Sequence, residues 1–265
     1  MQVVTIGSWL ARTLLESVFA MESIATSRQT NRTFPPNRTR TASTLAMPKV
    51  LLCDLDGTLI DTMPVLADLA TEVMVGMYGV PRTLARELYL ATCGLPFIAQ
   101  LEDIFPGDAR NQTASDLFES GKPARCNSAR MPADTRAALV ELRRRGVRIA
   151  VSSNNGRENV EAFASTADFS FDLVMGYGNG LSKGRPHVQM VERAFGVGRG
   201  EMLFIGDSLH DGEIAHVEGL PFVGVAGTFS KESFLLRFPG QPVVHRFAEL
   251  LGLFEVRAAA AVASY

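Results

Sequence analysis

Two aspartates at the end of a short apolar run are the side chains of this sequence best placed to do chemistry. The run Val50–Cys53 leads into Asp54 and Asp56, and Gly57 follows directly. An apolar run without polar alternation is typical of a strand buried on both faces of a parallel sheet. Ligands gather at the carboxyl ends of such strands, and a glycine there permits a tight turn. The pair therefore suits a metal-assisted nucleophile combined with an acid/base.

A second pair of aspartates follows another apolar run. Met202–Gly206 leads into Asp207, and Asp211 comes four residues later, at an expected strand-to-helix junction. Carboxylates at this spacing lie near one another, so both can face one divalent cation. Oxygen ligands supplemented by waters are what Mg²⁺ prefers. The sequence therefore predicts a Mg²⁺ site that includes these two aspartates.

The string DLDGTLID, residues 54–61, resembles the first signature of the haloacid dehalogenase superfamily, whose phosphatases use an aspartyl-phosphate intermediate. The second signature is a hydrophobic strand ending in Ser or Thr, and Val147–Val151 followed by Ser152 and Ser153 fits it. Without the neighbouring signatures, these serines would indicate only a turn that caps the next helix. The GDSxxD pattern of residues 206–211 is similar to the fourth signature.

The third signature of this superfamily is a lysine near the start of a helix, and Lys183 fits it. Pro186 suits a first helical turn, and apolar residues recur at helical spacing after it. Family members often have Lys followed directly by Pro, whereas Gly-Arg intervenes here. Arg185 is therefore a competing assignment for the phosphate-binding cation, ranked behind Lys183.

The resemblance implies a role for each of these residues. Asp54 would attack phosphorus, while Asp56 would protonate the leaving oxygen and then activate water. Mg²⁺ would bind Asp54, the backbone carbonyl of Asp56 and Asp207, with Asp211 farther from the ion. The residues implied to bind the phosphate group are Thr58, Ser152, Ser153 and Lys183.

The function that follows is a Mg²⁺-dependent phosphatase acting on a small phosphorylated metabolite, either phosphoglycolate or a sugar phosphate. A phosphomutase of the β-phosphoglucomutase type shares the same four signatures and is the alternative. A catalytically silent interaction protein is a third hypothesis, which the intact acids disfavour. A dehalogenase is disfavoured as well, because dehalogenation does not use the acids that would hold a metal.

The expected fold class is α/β, a doubly wound and mostly parallel Rossmann-like sheet with a small α-helical cap. Strands are predicted at 49–54, 147–152, 171–176, 202–207 and 221–225. The core would comprise residues 47–62 and 130–252, and the cap residues 63–129, because about ninety residues between two signatures are too many for a loop. The loop 92–97 would point into the site, where Phe97 and Gln100 belong either to the core of the cap or to the substrate contact, the former being favoured.

Composition narrows the cellular setting. A net charge of −2 and a pI near 6.1 provide no positive electrostatic field that would attract nucleic acid, and no segment predicts a membrane span. Three cysteines without clustered spacing favour reduced thiols and a cytoplasmic protein. A monomer or a homodimer is expected. Residues 1–46 are rich in Arg and poor in acids, which predicts an organellar transit peptide, a disordered extension or a true start at Met47. Residues 253–265 read as a frayed tail.

Overall fold

Six parallel strands form one sheet in the computed structural model, which describes residue 34, residues 45–126 and residues 128–254. The spatial order of the strands is β3-β2-β1-β4-β5-β6, so the first strand lies at the centre. The strand bounds are β1 Val50–Cys53, β2 Arg148–Gly156, β3 Leu173–Tyr177, β4 Met202–Gly206, β5 Phe222–Val225 and β6 Val243–Val244.

Nine α-helices connect or flank these strands within the described part of the chain. Five of them lie between β1 and β2, and the other four alternate with the later strands. The helix bounds are α1 Met63–Tyr78, α2 Arg82–Thr92, α3 Phe97–Ile104, α4 Asn111–Cys126, α5 Ala133–Arg144, α6 Arg157–Thr166, α7 Arg185–Phe195, α8 Leu209–Glu218 and α9 Lys231–Arg237. Short 3₁₀ helices occupy Arg199–Glu201 and Phe247–Leu253.

The apolar run of β1 is buried on both faces of the sheet, as the sequence predicted. Leu51 and Cys53 belong to one hydrophobic cluster, to which α5, α6 and the last 3₁₀ helix contribute. Val50 and Leu52 alternate onto the opposite face, where α7, α8 and α9 pack. This arrangement confirms the predicted doubly wound parallel α/β sheet, because helices cover both faces of its central strand.

The first four helices after β1 build a hydrophobic cluster of their own, and we call residues 63–126 the helical insert. Phe118 of α4 packs against Phe97 of α3 and Tyr89 of α2, with ring centroids 4.1 and 5.9 Å away. Tyr78 stacks on Phe105 at 3.9 Å. The insert therefore has an apolar interior separate from the two clusters of the sheet.

Helix α4 and strand β2 are longer than the sequence predicted. The helical pattern of the sequence predicts an end of α4 at Ser120, yet the helix continues through Gly121 and Pro123 to Cys126. Gly121 lies close to Leu69 of α1, since a Cβ atom at position 121 would be 3.0 Å from a Leu69 methyl carbon. Strand β2 extends to Gly156 with a shift in its pairing with β3.

Most of the predicted extension 1–46 and of the predicted tail 253–265 lies outside the described residues. Phe34 is an exception, since its ring stacks on Phe238 at 5.4 Å and its amide donates to the Arg237 carbonyl at 3.1 Å. Leu45 pairs with Phe254 as an isolated parallel bridge. None of the helices in the described part of the chain combines the length and apolar character needed to span a bilayer.

Candidate active site

Asp54 and Asp207 lie side by side because their strands are neighbours. Cys53 of β1 is in register with Ile205 of β4, and the Asp54 amide donates to the Ile205 carbonyl at 3.0 Å. Both aspartates are buried at the carboxyl edge of the sheet, the position at which ligands of such folds collect. The parallel register therefore turns two distant sequence motifs into one acidic site.

Lys183 joins these acids to Asp211. Its Nζ atom donates to Asp54 Oδ1 at 2.6 Å and to Asp211 Oδ1 at 2.7 Å, and its side chain is only 2 % exposed. Arg185, the competing cation, has a side chain that is 67 % exposed and lies 3.5 Å from Glu218. The structure thus brings Lys183 and not Arg185 into the acidic site.

Burial and mutual repulsion perturb the titration of these groups. Burial raises the pKa of Asp54 well above its ordinary value, against the opposing effect of Lys183. Burial and the Asp211 carboxylate raise the pKa of Asp207 to about 6. Burial alone would lower the pKa of Lys183, but the carboxylates of Asp211 and Asp54 reverse that effect and leave it raised. One ammonium group does not balance the negative charge gathered here.

The acidic group fits a divalent cation. Asp54, Asp207 and Asp211 each offer an oxygen within 4.8 Å of the others. Asp211 is already engaged, because Oδ1 accepts from Lys183 and Oδ2 accepts from the Ser208 hydroxyl at 2.6 Å. Oxygens of Asp54 and Asp207 lie within 4.8 Å of each other, and a cation between them would relieve the repulsion of the two carboxylates.

Two hydroxyl groups and a glycine fix the position of Asp207. Thr58 donates to Asp207 Oδ1 at 3.4 Å, and Thr228, in the loop after β5, donates to Oδ2. Gly57 adopts a φ of +88°, and a Cβ atom at this position would lie 2.2 Å from Asp207 Oδ2. The glycine predicted for the turn is therefore required both by backbone conformation and by space.

Asp56 stands apart from the buried acids and faces the open part of the site. Its Oδ1 atom accepts from the Thr62 hydroxyl at 2.6 Å, and its Oδ2 atom accepts from Asn155 Nδ2 at 3.0 Å. These two bonds fix the carboxyl plane while leaving the group partly exposed. A carboxyl group so placed can pass a proton to or from a bound molecule.

The two predicted serines point in different directions. Ser153 lines the cavity beside Asp54, and its hydroxyl accepts from the backbone N–H of Asn155 at 3.0 Å. Ser152 is buried on the opposite side of β2, where its hydroxyl lies 3.0 Å from His187 Nδ1. The structure therefore places Ser153 next to the acidic group and Ser152 away from it, in contact with helix α7.

The helical insert and the sheet together line a cleft over these groups. Its walls combine carboxylates, amides and one ammonium from the sheet with aromatic, aliphatic and polar side chains from the insert. The insert residues that line it are Met63, Leu66, Tyr89, Cys93, Gly94, Leu95, Phe97, Gln100, Phe118 and Lys122. A small molecule at Asp54 would lie between the sheet and the insert in this cleft.

The predicted loop 92–97 reaches the sheet and contacts it. Asn154 Nδ2 donates to the Gly94 carbonyl at 2.7 Å, which ties the loop to the end of β2. Gln100 lines the cleft, yet both ends of its amide are used inside the insert, by Leu95 and Thr92. Phe97 is also buried while touching the cleft. These two side chains thus serve the interior of the insert and the wall of the cleft together.

Several residues at the site were not singled out from the sequence. Asn154 and Asn155 follow the predicted serines directly, so their position at a strand end was a usable signal. Thr228 follows the last predicted strand and could have been found in the same way. Lys122 carried no such signal, because it lies beyond the predicted end of α4.

The chain matches the family described as haloacid dehalogenase-like hydrolase over residues 51–225. A protein of Nitrosospira multiformis named phosphoglycolate phosphatase is 31 % identical over 64 % of this chain and 80 % of its own. A protein of the same name from Rhodobacter capsulatus is 27 % identical over 79 % of this chain and 98 % of its own.

Among solved structures, a haloacid dehalogenase-like hydrolase of Streptococcus pneumoniae superposes with a TM-score of 0.65 at 17 % identity, covering 79 % of this chain and 99 % of that chain. At this identity the superposition shows a shared fold, while the sequence match and the curated relatives carry the family assignment. The chain therefore belongs to the haloacid dehalogenase-like hydrolases, in the branch that resembles phosphoglycolate phosphatases.

Proposed function

We propose that this protein is a Mg²⁺-dependent phosphatase that hydrolyses a small phosphate monoester of the phosphoglycolate type through an aspartyl-phosphate on Asp54. The observation that carries the proposal is the buried Lys183 ammonium, held 2.6 Å from Asp54 and 2.7 Å from Asp211 at the bottom of the cleft. This arrangement combines a carboxylate nucleophile with a fixed positive charge. The names of the curated relatives support the same reaction.

Asp54 is suited to attack because a carboxylate needs no base to remove a proton once it is ionised. The Lys183 ammonium favours the ionised form, and the hydrogen bond from the Asp54 amide to the Ile205 carbonyl fixes the backbone at the strand end. In the first step an Asp54 oxygen forms a bond to phosphorus while the bond from phosphorus to the ester oxygen breaks. The lysine charge offsets the repulsion between the carboxylate and the anionic phosphate group.

Asp56 is suited to handle the proton. It donates a proton to the departing ester oxygen in the first step, so this oxygen leaves as a hydroxyl group and not as an alkoxide. In the second step it accepts a proton from the water that attacks phosphorus and releases phosphate from Asp54. The bonds from Thr62 and Asn155, at 2.6 and 3.0 Å, keep the carboxyl group oriented through both steps.

Asp54, the backbone carbonyl of Asp56 and Asp207 would hold Mg²⁺, with Asp211 orienting Lys183 and the Ser208 turn. When bound, the ion would neutralise charge on the phosphate oxygens and on the paired carboxylates. Ser153 and Thr58 are the proposed hydroxyl donors near the phosphate group. We propose no phosphate contact for Ser152, because its hydroxyl is engaged with His187.

The experiment that tests the function measures phosphate release from a panel of monoesters, with Mg²⁺ or with excess chelator. We expect Mg²⁺-dependent release by the wild type and a loss of at least about three orders of magnitude in Asp54→Asn, since removal of a catalytic nucleophile has effects of that size. Asp61→Asn, at the exposed end of the same motif, is the matched control. Release that persists in Asp54→Asn would contradict the proposed nucleophile.

The same assay separates a phosphatase from a phosphomutase. A mutase would return an isomerised sugar phosphate with little free phosphate, whereas a phosphatase would release phosphate in proportion to the substrate consumed. Quantifying both products from a hexose phosphate decides between the two. Isomerised product without free phosphate would overturn the hydrolytic proposal.

A further inference from the structure

Lys122 is a buried cation that the helical insert contributes to the cleft. Its side chain is 7 % exposed, and its Nζ atom lies 4.7 Å from the centre of the Phe118 ring. The ammonium donates to Asn155 Oδ1 at 3.2 Å across the boundary between insert and sheet. Since Asn155 Nδ2 donates to Asp56 at 3.0 Å, a single amide group separates this cation from the proposed proton donor.

The charges of the cleft are divided between its two ends. The basic residues that line it in the described part of the chain are Lys183 and Lys122. Lys183 is committed to Asp54 and Asp211 at the bottom of the site. Lys122 is linked through Asn155 to Asp56, the residue proposed to protonate the leaving oxygen. It is therefore the cation that a charged group on the leaving side can reach.

The protein partner of Lys122 holds it less firmly than the partners of Lys183 do. Glu119 Oε1 lies 2.8 Å from the Lys122 ammonium, but the Glu119 side chain is 38 % exposed. A half-exposed carboxylate three residues earlier on the same helix gains little from such a pair and can turn toward water. A ligand anion inside the cleft, which Lys122 lines, can replace it.

We infer that Lys122 is a specificity-determining residue that binds a second negative charge on the leaving group of the substrate. This inference rests on the proposed phosphatase function and narrows it to phosphate monoesters with an anionic leaving group. A carboxylate and a second phosphate group share the required chemistry. A neutral sugar or alcohol would leave the buried ammonium with its protein partners only and would gain nothing from it.

The test compares two substrates of nearly equal size that differ in charge. Phosphoglycolate carries a carboxylate, and 2-hydroxyethyl phosphate carries a hydroxymethyl group in its place. In Lys122→Met we expect the ratio of kcat/KM for phosphoglycolate to that for 2-hydroxyethyl phosphate to fall by roughly tenfold or more, as loss of one partner of a desolvated charge pair predicts. Lys231→Met, at an exposed lysine at the start of α9, controls for removal of a lysine elsewhere.

A second variant is expected to strengthen the binding of phosphoglycolate, where Lys122→Met weakens it. Glu119→Gln removes the competing carboxylate and should lower KM for phosphoglycolate while changing KM for 2-hydroxyethyl phosphate less. A sugar bisphosphate, assayed beside the corresponding monophosphate, reports whether a second phosphate group uses the same lysine. A selectivity ratio unchanged in Lys122→Met and an unchanged KM in Glu119→Gln would overturn the inference and leave the phosphatase function standing.

A binding measurement separates failure of the inference from failure of the function. Calorimetry on Asp54→Asn, with and without Lys122→Met, compares the affinity of the two esters without turnover. Tighter binding of phosphoglycolate that depends on Lys122 supports the inference even where no ester is hydrolysed. Equal affinity for both esters in the presence of Lys122 overturns it.

Discussion

Asp207 receives a hydroxyl group on each of its oxygens, from Thr58 and Thr228. A carboxylate held from both sides loses little freedom when a metal binds, and partners of this kind affect metal affinity by about ten- to a hundredfold. We therefore predict that Thr228→Val raises the Mg²⁺ concentration for half-maximal activity by about tenfold. Titration of activity with Mg²⁺ measures the effect.

Thr228→Ser is the matched control, because it keeps the hydroxyl group and removes only a methyl group. We expect its Mg²⁺ requirement to stay near that of the wild type. Equal Mg²⁺ requirements in the valine and serine variants would show that the hydroxyl group of Thr228 does not orient Asp207.

The residues that could be found from the sequence are those whose place follows from a strand end. Asp54 and Asp207 each follow an apolar run, and the parallel register brings them together. The choice between Ser152 and Ser153 could not be made, because consecutive strand residues face opposite sides and the phase is set by packing. Thr228 and Asn155 also follow strand ends, but their roles could not be assigned, because their partners Asp207 and Asp56 are distant in sequence.

At the scale of elements, His187 ties helix α7 to strand β2. Its Nδ1 atom lies 3.0 Å from the Ser152 hydroxyl, and its Nε2 atom lies 3.3 Å from the Gly176 carbonyl. Burial, together with the positive charge of Lys183, lowers the pKa of His187 from 6.5 to about 4. The folded protein therefore keeps this ring neutral over a range in which the unfolded chain binds a proton.

This linkage predicts a loss of stability in acid. Because the folded-state pKa is depressed, the contribution of His187 is complete above pH 6.5 and is lost as the pH falls toward 4. We expect the free energy of unfolding to drop by about 2 to 3 kcal/mol more in the wild type than in His187→Asn between pH 7 and pH 4.5. Urea denaturation at a series of pH values measures both.

The exposed His245 provides the control, since its replacement by Asn should leave the acid dependence unchanged. The His187 variant is expected to be less stable than the wild type at pH 7, so the slope with pH and not the absolute stability is diagnostic. Parallel curves for wild type and His187→Asn would contradict the prediction.

The elements that sequence patterns predicted well are those with a strong local signal. Strands β1 and β4 are continuous apolar runs and were placed within one or two residues. Strand β6 was missed because Val243 and Val244 are too few to form a pattern. The last turns of α4 were missed because Gly121 and Pro123 are poor helix formers, and the helix nevertheless continues past both.

At the scale of the whole molecule, the fold class and the family were predicted and are confirmed. Two aspartate motifs in the correct order carry enough information for both. The identity of the substrate could not be predicted, because it depends on where the insert places its side chains over the cleft. Lys122 illustrates this limit, since its approach to Asn155 is a contact between separate parts of the chain.

Phe34 precedes the first strand by sixteen residues and packs against side chains near the ends of α8 and α9. Its ring stacks on Phe238 at 5.4 Å, meets the His216 ring at 4.4 Å and lies 4.9 Å below the Arg237 guanidinium. We predict that Phe34→Ala lowers the free energy of unfolding by about 2 kcal/mol, roughly half the loss for a fully buried phenylalanine. Urea denaturation tests this.

Phe34→Leu serves as the control, because it keeps apolar volume and loses the aromatic stacking. We expect a smaller loss of stability for this variant than for Phe34→Ala. Unfolding curves of Phe34→Ala that coincide with the wild type would show that the contact with Phe238 contributes nothing to stability.

The contacts of Phe34 make the stability of the protein depend on whether a mature chain retains this residue. Cleavage of a leader after this residue, or translation from Met47, would yield a product with every acid of the site intact and an empty aromatic slot between α8 and α9. Cleavage ahead of it would keep the slot filled. A product that retains Phe34 is therefore expected to have a higher free energy of unfolding than a product that lacks it, although both contain the same acidic site.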